Sequence, residues 1–446
     1  MLPAAISEAD ARTRGLDRGL SPALKMTATG REEARVRASR AGRALVIGGS
    51  MGGLFTGLLM RRQGWDVRIF ERVGGELAGR GAGIVTHPVL HDALRRAGVE
   101  DLDDLGVPLA ARRFFSLDGR LVGEHPRPQI ATAWDRLFRL LRARFPDAHY
   151  RTGHALAAVE DAPGGAGVVA RFADGSTAEG DLLVAADGFR STVRSLLLPQ
   201  AVPRYAGYVG WRGLLAEAEM PPALHAEMFD HFTFCLPEGE QMLGYPVAGP
   251  GNDLRPGHRR YNFVWYRPAP EATVLARLLT DATGRRHELA IPPPLIAPAV
   301  LAELRADAER MLAPQFAALV RLSPQPFLQP IYDLSSPRLA LGRVALLGDA
   351  AFVARPHVGA GLSEAALDAM ALADAVGASG GEVAAGLAAY EAARLPQGER
   401  IVKRAQELGT CIAADGMGED ERRMALRSRD PGVVLAETAV LDFLDG

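Results

Sequence analysis

Cysteine is nearly missing: Cys235 and Cys411 are the only two in 446 residues. They make neither a disulfide framework nor a metal-ligand spacing, and they suit a reducing cytoplasm. Long apolar runs are missing as well. None reaches the roughly 18 residues needed to span a bilayer, and residues 1–42 lack the apolar block of a signal peptide. That opening stretch, rich in Arg, Ala and Glu, is expected to be a poorly ordered extension, with the fold starting near Arg43. Neither sign of charge prevails. A formal net charge of −2 gives no case for nucleic acid or an anionic membrane as partner. The ten histidines show no ligand spacing. His87 and His91, at i and i+4, have no third ligand near them and read as a helix face. No metal is expected, and no nucleophile elbow is present.

What the chain does have is glycine at decisive places, and it is organised around Arg43-Ala-Leu-Val-Ile-Gly-Gly-Ser-Met-Gly-Gly-Leu54. An apolar run, Ala44 to Ile47, stops at glycines, and helical spacing follows from Gly52 to Arg62. Gly48, Ser50 and Gly53 occupy the three glycine positions of the dinucleotide fingerprint G-x-G-x-x-G. Gly48 permits the sharp turn, the second position lets backbone approach a pyrophosphate, and Gly53 lets helix pack on strand. The helix N-terminus offers N–H groups and partial positive charge to phosphates. Asp66 to Phe70 reads as the next strand, and Glu71 ends it. A carboxylate there could accept both hydroxyls of an adenosine ribose, or be a solvated strand-end acid.

Two further constellations follow. The apolar strand 181–186 ends at Asp187-Gly188, with Ser191 and Arg194 on a starting helix. Later, Arg343-Val-Ala-Leu-Leu runs into Gly348-Asp349, then Pro356, Gly359 and Gly361 lead into a helix reaching about 377. Its first N–H groups could stabilise an anion. The glycine-dense stretch around Gly83 and Ile84 suggests either backbone passing a ligand or a plain loop. From 203 to 335 short alternating strands, separated by glycine and proline, predict an antiparallel sheet that holds most of the aromatic residues. One helix is predicted near 299–322, a surface excursion over 267–298, a helix over 383–410 and a weakly patterned tail beyond.

In this order, Gly48…Gly53, Glu71-Arg72, Asp187-Gly188…Arg194 and Gly348-Asp349…Pro356…Gly359-Ala-Gly361 resemble the flavoprotein aromatic hydroxylases, the para-hydroxybenzoate hydroxylase family, over about residues 43–400. The resemblance implies an α/β fold. A Rossmann-like FAD-binding domain would cover 43–202 and 336–400, a mixed or antiparallel β-sheet substrate domain 203–335, and a C-terminal helix and tail 401–446. It implies that FAD is held by Gly48, Gly49, Ser50, Gly53, Glu71, Arg72, Gly83, Ile84, Asp187, Gly188, Asp349, Pro356, Gly359 and Gly361. NADH or NADPH would reduce it without a separate nicotinamide domain. Reduced flavin and O₂ would give a C4a-hydroperoxide that delivers oxygen to an electron-rich ring. Gly81-Ala-Gly-Ile-Val85, Tyr205–Gly213 and Gly348–His357 look most like the dihydroxypyridine hydroxylases within the family. The expected substrate is therefore a small ring of the 2,6-dihydroxypyridine type.

Four positions depart from the family pattern: Ser50 for glycine, Phe352 for a frequent histidine, Trp134 for an arginine, and Arg80 out of register. Trp211, Phe234 and Trp265 are candidate substrate walls, with sheet core as the alternative for each, and Arg212 is the candidate cation beside them. His357 is the candidate general base, with Tyr245 as its rival, and the alternative for His357 is a brace for the loop before the helix. Neither a membrane nor a nucleic acid is an expected partner, and a homodimer is compatible. Two other readings stay open: different flavin oxidation or epoxidation chemistry on the same fold, and a dinucleotide-binding protein without catalysis.

Overall fold

The apolar run after Arg43 becomes the strand Arg43–Ile47, buried from Ala44 onward. A computed structural model of the chain describes residues 42–75, 77, 83–412 and 418–444. The expected extension over 1–42 lies outside the described residues except for Gly42, as do Arg80 and the Gly81-Ala82 part of its motif. From Gly42 onward the chain forms one compact unit.

Among the described residues there are three sheets. In the six-stranded sheet the order is Ala340–Leu341, Val344–Leu346, Leu182–Ala185, Arg43–Ile47, Asp66–Phe70, Tyr150–Arg151. Its pairings are parallel, except that Ala340–Leu341 runs antiparallel to Val344–Leu346. Continuous apolar strands such as Leu182–Ala185, buried at every position, are what a sheet covered on both faces requires. The helices Met51–Arg62 and Gly361–Ala378 pack against one another. A small antiparallel sheet, Leu156–Asp161, Val168–Phe172 and Thr177–Gly180, precedes the Leu182 strand.

The nine-stranded sheet has the order Phe352–Val353, Phe327–Ser335, Arg204–Ala216, Arg260–Pro268, Gln241–Val247, His231–Cys235, Val107–Phe115, Leu121–Ala133, Gly83–Val85. Most pairs are antiparallel; His231–Cys235 and Val107–Phe115 are parallel. This sheet draws strands from both sides of the expected boundary at 203. On one face a core forms from Trp211, Met242, Phe263 and Trp265 with residues of the helices Pro298–Met311 and Pro314–Leu322. The expected single helix over 299–322 is two, because Pro314 begins a second one after the break at Leu312 and Ala313. The stretch 267–298 is less of a surface excursion than expected, since Leu275, Leu278, Ile291 and Ile296 are buried in that core. The weakly patterned tail contains the helices Glu419–Arg427 and Pro431–Glu437.

Candidate active site

Parallel strands end where the three glycine constellations begin, so all three meet at the carboxyl ends of one sheet, where α/β folds place ligands. Gly48 has φ +106°, and a Cβ there would lie 2.2 Å from the Ala186 carbonyl oxygen. Gly53 must also lack a side chain, since a Cβ would come within 2.0 Å of the Gly48 oxygen. Ser50 is the N-cap of Met51–Arg62, but its hydroxyl makes no capping bond and faces the cleft instead.

Glu71 is buried, and its carboxylate accepts from Gly49 N (2.8 Å) and Val73 N (2.9 Å). It therefore braces the glycine turn while still lining the cleft. Tyr150 closes the same turn from behind by donating to the Gly49 oxygen at 2.8 Å. Asp187 accepts from the Ser191 hydroxyl (2.6 Å) and from Thr192 N and Val193 N, so it caps the helix Thr192–Leu197. Buried Arg194 then ties two constellations together. It donates to Phe189 and Ala201 on its own side and to the Ala350 carbonyl at 3.0 Å beyond. Asp349 is exposed to the larger cavity, and the scarcity of bulk water inside that cavity pushes its carboxyl up to about 6 against the pull of Arg194.

Two adjoining cavities follow the constellations. The smaller, about 210 Å³, is lined by Gly48, Glu71, Arg72, Asp187 and Gly188 among others. The larger, about 730 Å³, takes in Gly83, Ile84, Asp349, Pro356, Gly359 and Gly361. Ser50, Trp134, Ala186 and Gly188 belong to both. Trp134, at the family's arginine position, stacks on Phe138 with ring centroids 5.1 Å apart. Gly361 opens the helix Gly361–Ala378, and a Cβ there would meet nothing within 4 Å. Of the expected cofactor positions, only Gly49 and Gly53 lie behind the cavity surface.

Similar proteins bear on what this pair of cavities holds. The chain matches family models described as FAD binding domain-like over residues 205–333 and FAD binding domain over 333–405. It is 33% identical to the 2,6-dihydroxypyridine 3-monooxygenase of Paenarthrobacter nicotinovorans over 378 residues, 84% of this chain and 93% of that one. The chain belongs to the FAD-dependent aromatic hydroxylases. Among solved structures, the 2,6-dihydroxypyridine-3-hydroxylase of Arthrobacter nicotinovorans has a TM-score of 0.78 at 32% identity, covering 85% of this chain and 94% of that one. A Klebsiella pneumoniae protein complexed with FAD and uric acid has a TM-score of 0.68 at 26% identity, covering 89% and 93%. FAD is thus the hydroxylase's cofactor, NADH or NADPH its reductant, and a small aromatic ring and O₂ its other partners. Among the described residues no helix is long and apolar enough to cross a membrane, and no cluster of His, Cys, Asp and Glu could hold a metal.

The substrate side corrects several expectations. Strand register sorts the aromatic residues by face. Trp211 and Trp265 are direct cross-strand partners and point together into the helix-covered core, away from the larger cavity. There the Trp265 indole donates to Glu240 at 2.7 Å, with the Arg267 guanidinium 4.4 Å over its ring. The opposite face carries a row in register, Phe327, Arg212, Val264 and Leu243, and all four line the larger cavity. Phe234 continues this row but is not a wall. It lies behind Phe232, ring centroids 4.5 Å apart, and Phe232 is the one that lines the cavity.

Both expected bases have their polar side-chain atoms engaged with the protein. His357 is 1% exposed and does not line the cavity. Its Nδ1–H donates to Gln241 Oε1 at 2.8 Å, which leaves Nε2 to accept from the Tyr208 hydroxyl at 2.8 Å. Burial holds the ring neutral, with its pKa pushed down to about 3. Tyr245 does line the cavity, but its hydroxyl donates to the Gly83 carbonyl at 2.8 Å and burial raises its pKa. Sequence reasoning missed Tyr266, Val264, Phe327 and Phe232, although the strand alternation that contains Arg212 carries that signal. It also missed Thr438 and Ala439, for which the tail offers no periodic cue.

Proposed function

We propose that this hydroxylase acts on a flat N-heteroaromatic ring bearing ionisable hydroxyl groups, of the 2,6-dihydroxypyridine type. The observation that carries this reading is Arg212. Its side chain lies on the sheet-side wall of the larger cavity, beside Tyr266 on the same wall. Among the described residues no carboxylate pairs with it. Arg355, also on the cavity, is already neutralised by Asp333 at 2.8 Å. Around Arg212 the walls are Val264, Leu243, Phe232 and Phe327. A cation among apolar walls favours a small ring with a delocalised negative charge. The name of the Paenarthrobacter relative supports the same class.

Gly48, Ser50 and the start of Met51–Arg62 would hold the FAD pyrophosphate, since the turn excludes side chains and the helix leaves its first N–H groups unpaired. Glu71 and Arg72 would face the adenosine part, and Gly83, Ile84, Asp349, Pro356, Gly359 and Gly361 the ring system. The chemistry that FAD would supply there is acceptance of electrons from NAD(P)H and activation of O₂ for insertion into the ring. The start of Gly361–Ala378 adds partial positive charge to that end of the cavity. Arg212 favours the ionised ring hydroxyl, and an ionised ring is the better nucleophile. With His357 and Tyr245 both committed elsewhere, the substrate enters as its anion and needs no side-chain base. The apolar walls exclude water from the reacting atoms. The two buried, unpaired cysteines support a cytoplasmic location.

The test is NAD(P)H oxidation across a panel of hydroxylated pyridines, benzoates and purines, with product analysis. We expect a ring with an ionisable hydroxyl to be hydroxylated stoichiometrically. Arg212→Gln should retain FAD and bind 2,6-dihydroxypyridine about tenfold or more weakly, as loss of a charge-assisted hydrogen bond predicts. Turnover confined to rings without an ionisable group, or unchanged binding in Arg212→Gln, refutes the proposal.

A further inference from the structure

One wall of the larger cavity comes from none of the glycine constellations. Thr438 and Ala439 line it. They follow the helix Pro431–Glu437, which Asp430 caps through Val433 N. Val434, Leu435 and Ala439 are buried with Phe232, Tyr245 and Tyr266. Arg112 reaches this stretch from the strand Val107–Phe115, and it is 0% exposed. Its guanidinium donates to the carbonyls of Leu435 (2.9 Å), Thr438 (2.7 Å) and Ala439 (3.4 Å), and to Gln129 Oε1 at 2.6 Å. All four acceptors are uncharged. Burying a guanidinium against neutral groups is costly, and what it achieves here is to close carbonyls at a helix end that would otherwise lack partners.

Arg112 also touches the facing wall. It is the cross-strand partner of Phe232, and its guanidinium stands 5.5 Å from that ring. On the far side, Ala439 adopts φ +52°, its N–H donates to the His357 carbonyl at 2.8 Å, and its Cβ abuts Gly359. The tail is thus held between the large sheet and the turn that starts the helix Gly361–Ala378.

We propose that residues 430–439 close one wall of the substrate cavity through Thr438 and Ala439, and that Arg112 is the positioning residue that keeps it shut. Arg112 thereby sets substrate affinity and the exclusion of water. This rests on the reading of the larger cavity as the substrate site.

The test uses FAD-loaded enzyme in three forms: wild type, Arg112→Met and the milder Gln129→Leu, which removes only the support of the guanidinium. Three readouts are taken: amide hydrogen exchange over 434–440, affinity for 2,6-dihydroxypyridine from the flavin absorbance change, and hydrogen peroxide released per NAD(P)H consumed. In Arg112→Met we expect exchange there at least tenfold faster, with amides of Arg204–Ala216 unchanged. Binding should weaken about tenfold and the peroxide fraction should rise. Gln129→Leu should move the same way by less, and it decides the matter if Arg112→Met does not fold. Unchanged exchange in the variants overturns the clamp. Faster exchange with unchanged binding and unchanged peroxide overturns the wall, because a purely structural arginine would behave that way. If the wild type binds no hydroxypyridine, the substrate reading fails. Exchange and substrate-free peroxide release still decide the role of Arg112.

Discussion

Replacing His357 with Leu separates a structural histidine from a catalytic one. The side chains are similar in size, so the main loss is of two buried hydrogen bonds, to Gln241 and Tyr208. Each group left without a partner costs roughly 1–3 kcal/mol, so the variant should be about 2–6 kcal/mol less stable at neutral pH. Acid changes that difference. His357 stays neutral in the fold down to about 3, whereas in the unfolded chain it takes up a proton near 6.5. Between those values the unfolded state binds more protons, so the stability that neutral His357 allows is complete above about 6.5 and is lost as pH falls towards 3. The loss amounts to roughly 2–3 kcal/mol at pH 4.5 and almost nothing at pH 7.5. The leucine variant lacks this liability. Its deficit relative to wild type should therefore shrink by roughly 2–3 kcal/mol between pH 7.5 and pH 4.5. Urea unfolding of both proteins in saturating FAD at the two pH values measures this. Product formed per NAD(P)H should change less than about threefold, since the ring does not reach the cavity; a general base would give roughly 10²–10⁴. An equal deficit at both pH values, or a hundredfold loss of hydroxylation, refutes the reasoning.

Glu71→Ala removes the acceptor for Gly49 N and Val73 N; FAD should bind at least tenfold more weakly, by titration of apoenzyme, with the fold retained. Trp211→Phe should lower stability by about 1–3 kcal/mol through a core cavity, yet leave 2,6-dihydroxypyridine affinity unchanged, because Trp211 faces the helices. Gly48→Ala should yield protein without bound FAD or no soluble protein, read from the flavin-to-protein absorbance ratio, since its Cβ would overlap the Ala186 carbonyl.

Elements governed by local pattern were legible in the sequence. Asp66–Phe70 matched its strand to the residue, and Gly361–Ala378 and Val383–Leu408 followed their helical spacing closely. The glycine constellations were legible because tight turns admit few other residues. What failed was decided by pairing across the sheet. Nothing local to Trp211 says that it faces helices while Arg212 faces the cavity; the cross-strand partners Trp265 and Val264 settle that. Reactivity misled in the same way. His357 follows Pro356, which lines the cavity, but one residue further along the chain turns its ring inward to Gln241. The tail escaped notice because Arg112, distant in sequence, supplies its anchoring.

The parallel pairing of Leu182–Ala185 with Val344–Leu346 has a consequence for biosynthesis. After Arg43–Ile47 leaves the ribosome, its sheet waits for strands made about 300 residues later, roughly 15–60 s at 5–20 residues per second. Until then Leu182–Ala185, whose every residue is buried in the finished protein, presents an unpaired apolar edge. A nascent chain in that state is vulnerable to aggregation, and slower growth or chaperone supply should raise its yield. Fragments ending before Val344 lack the lining that Gly348, Asp349, Pro356, Gly359 and Gly361 give the larger cavity. Thr438 and Ala439 are made after every strand of both large sheets, so the cavity closes later than its sheets form, and a chain cut between Val353 and Thr438 has no closed site in which to spend reductant.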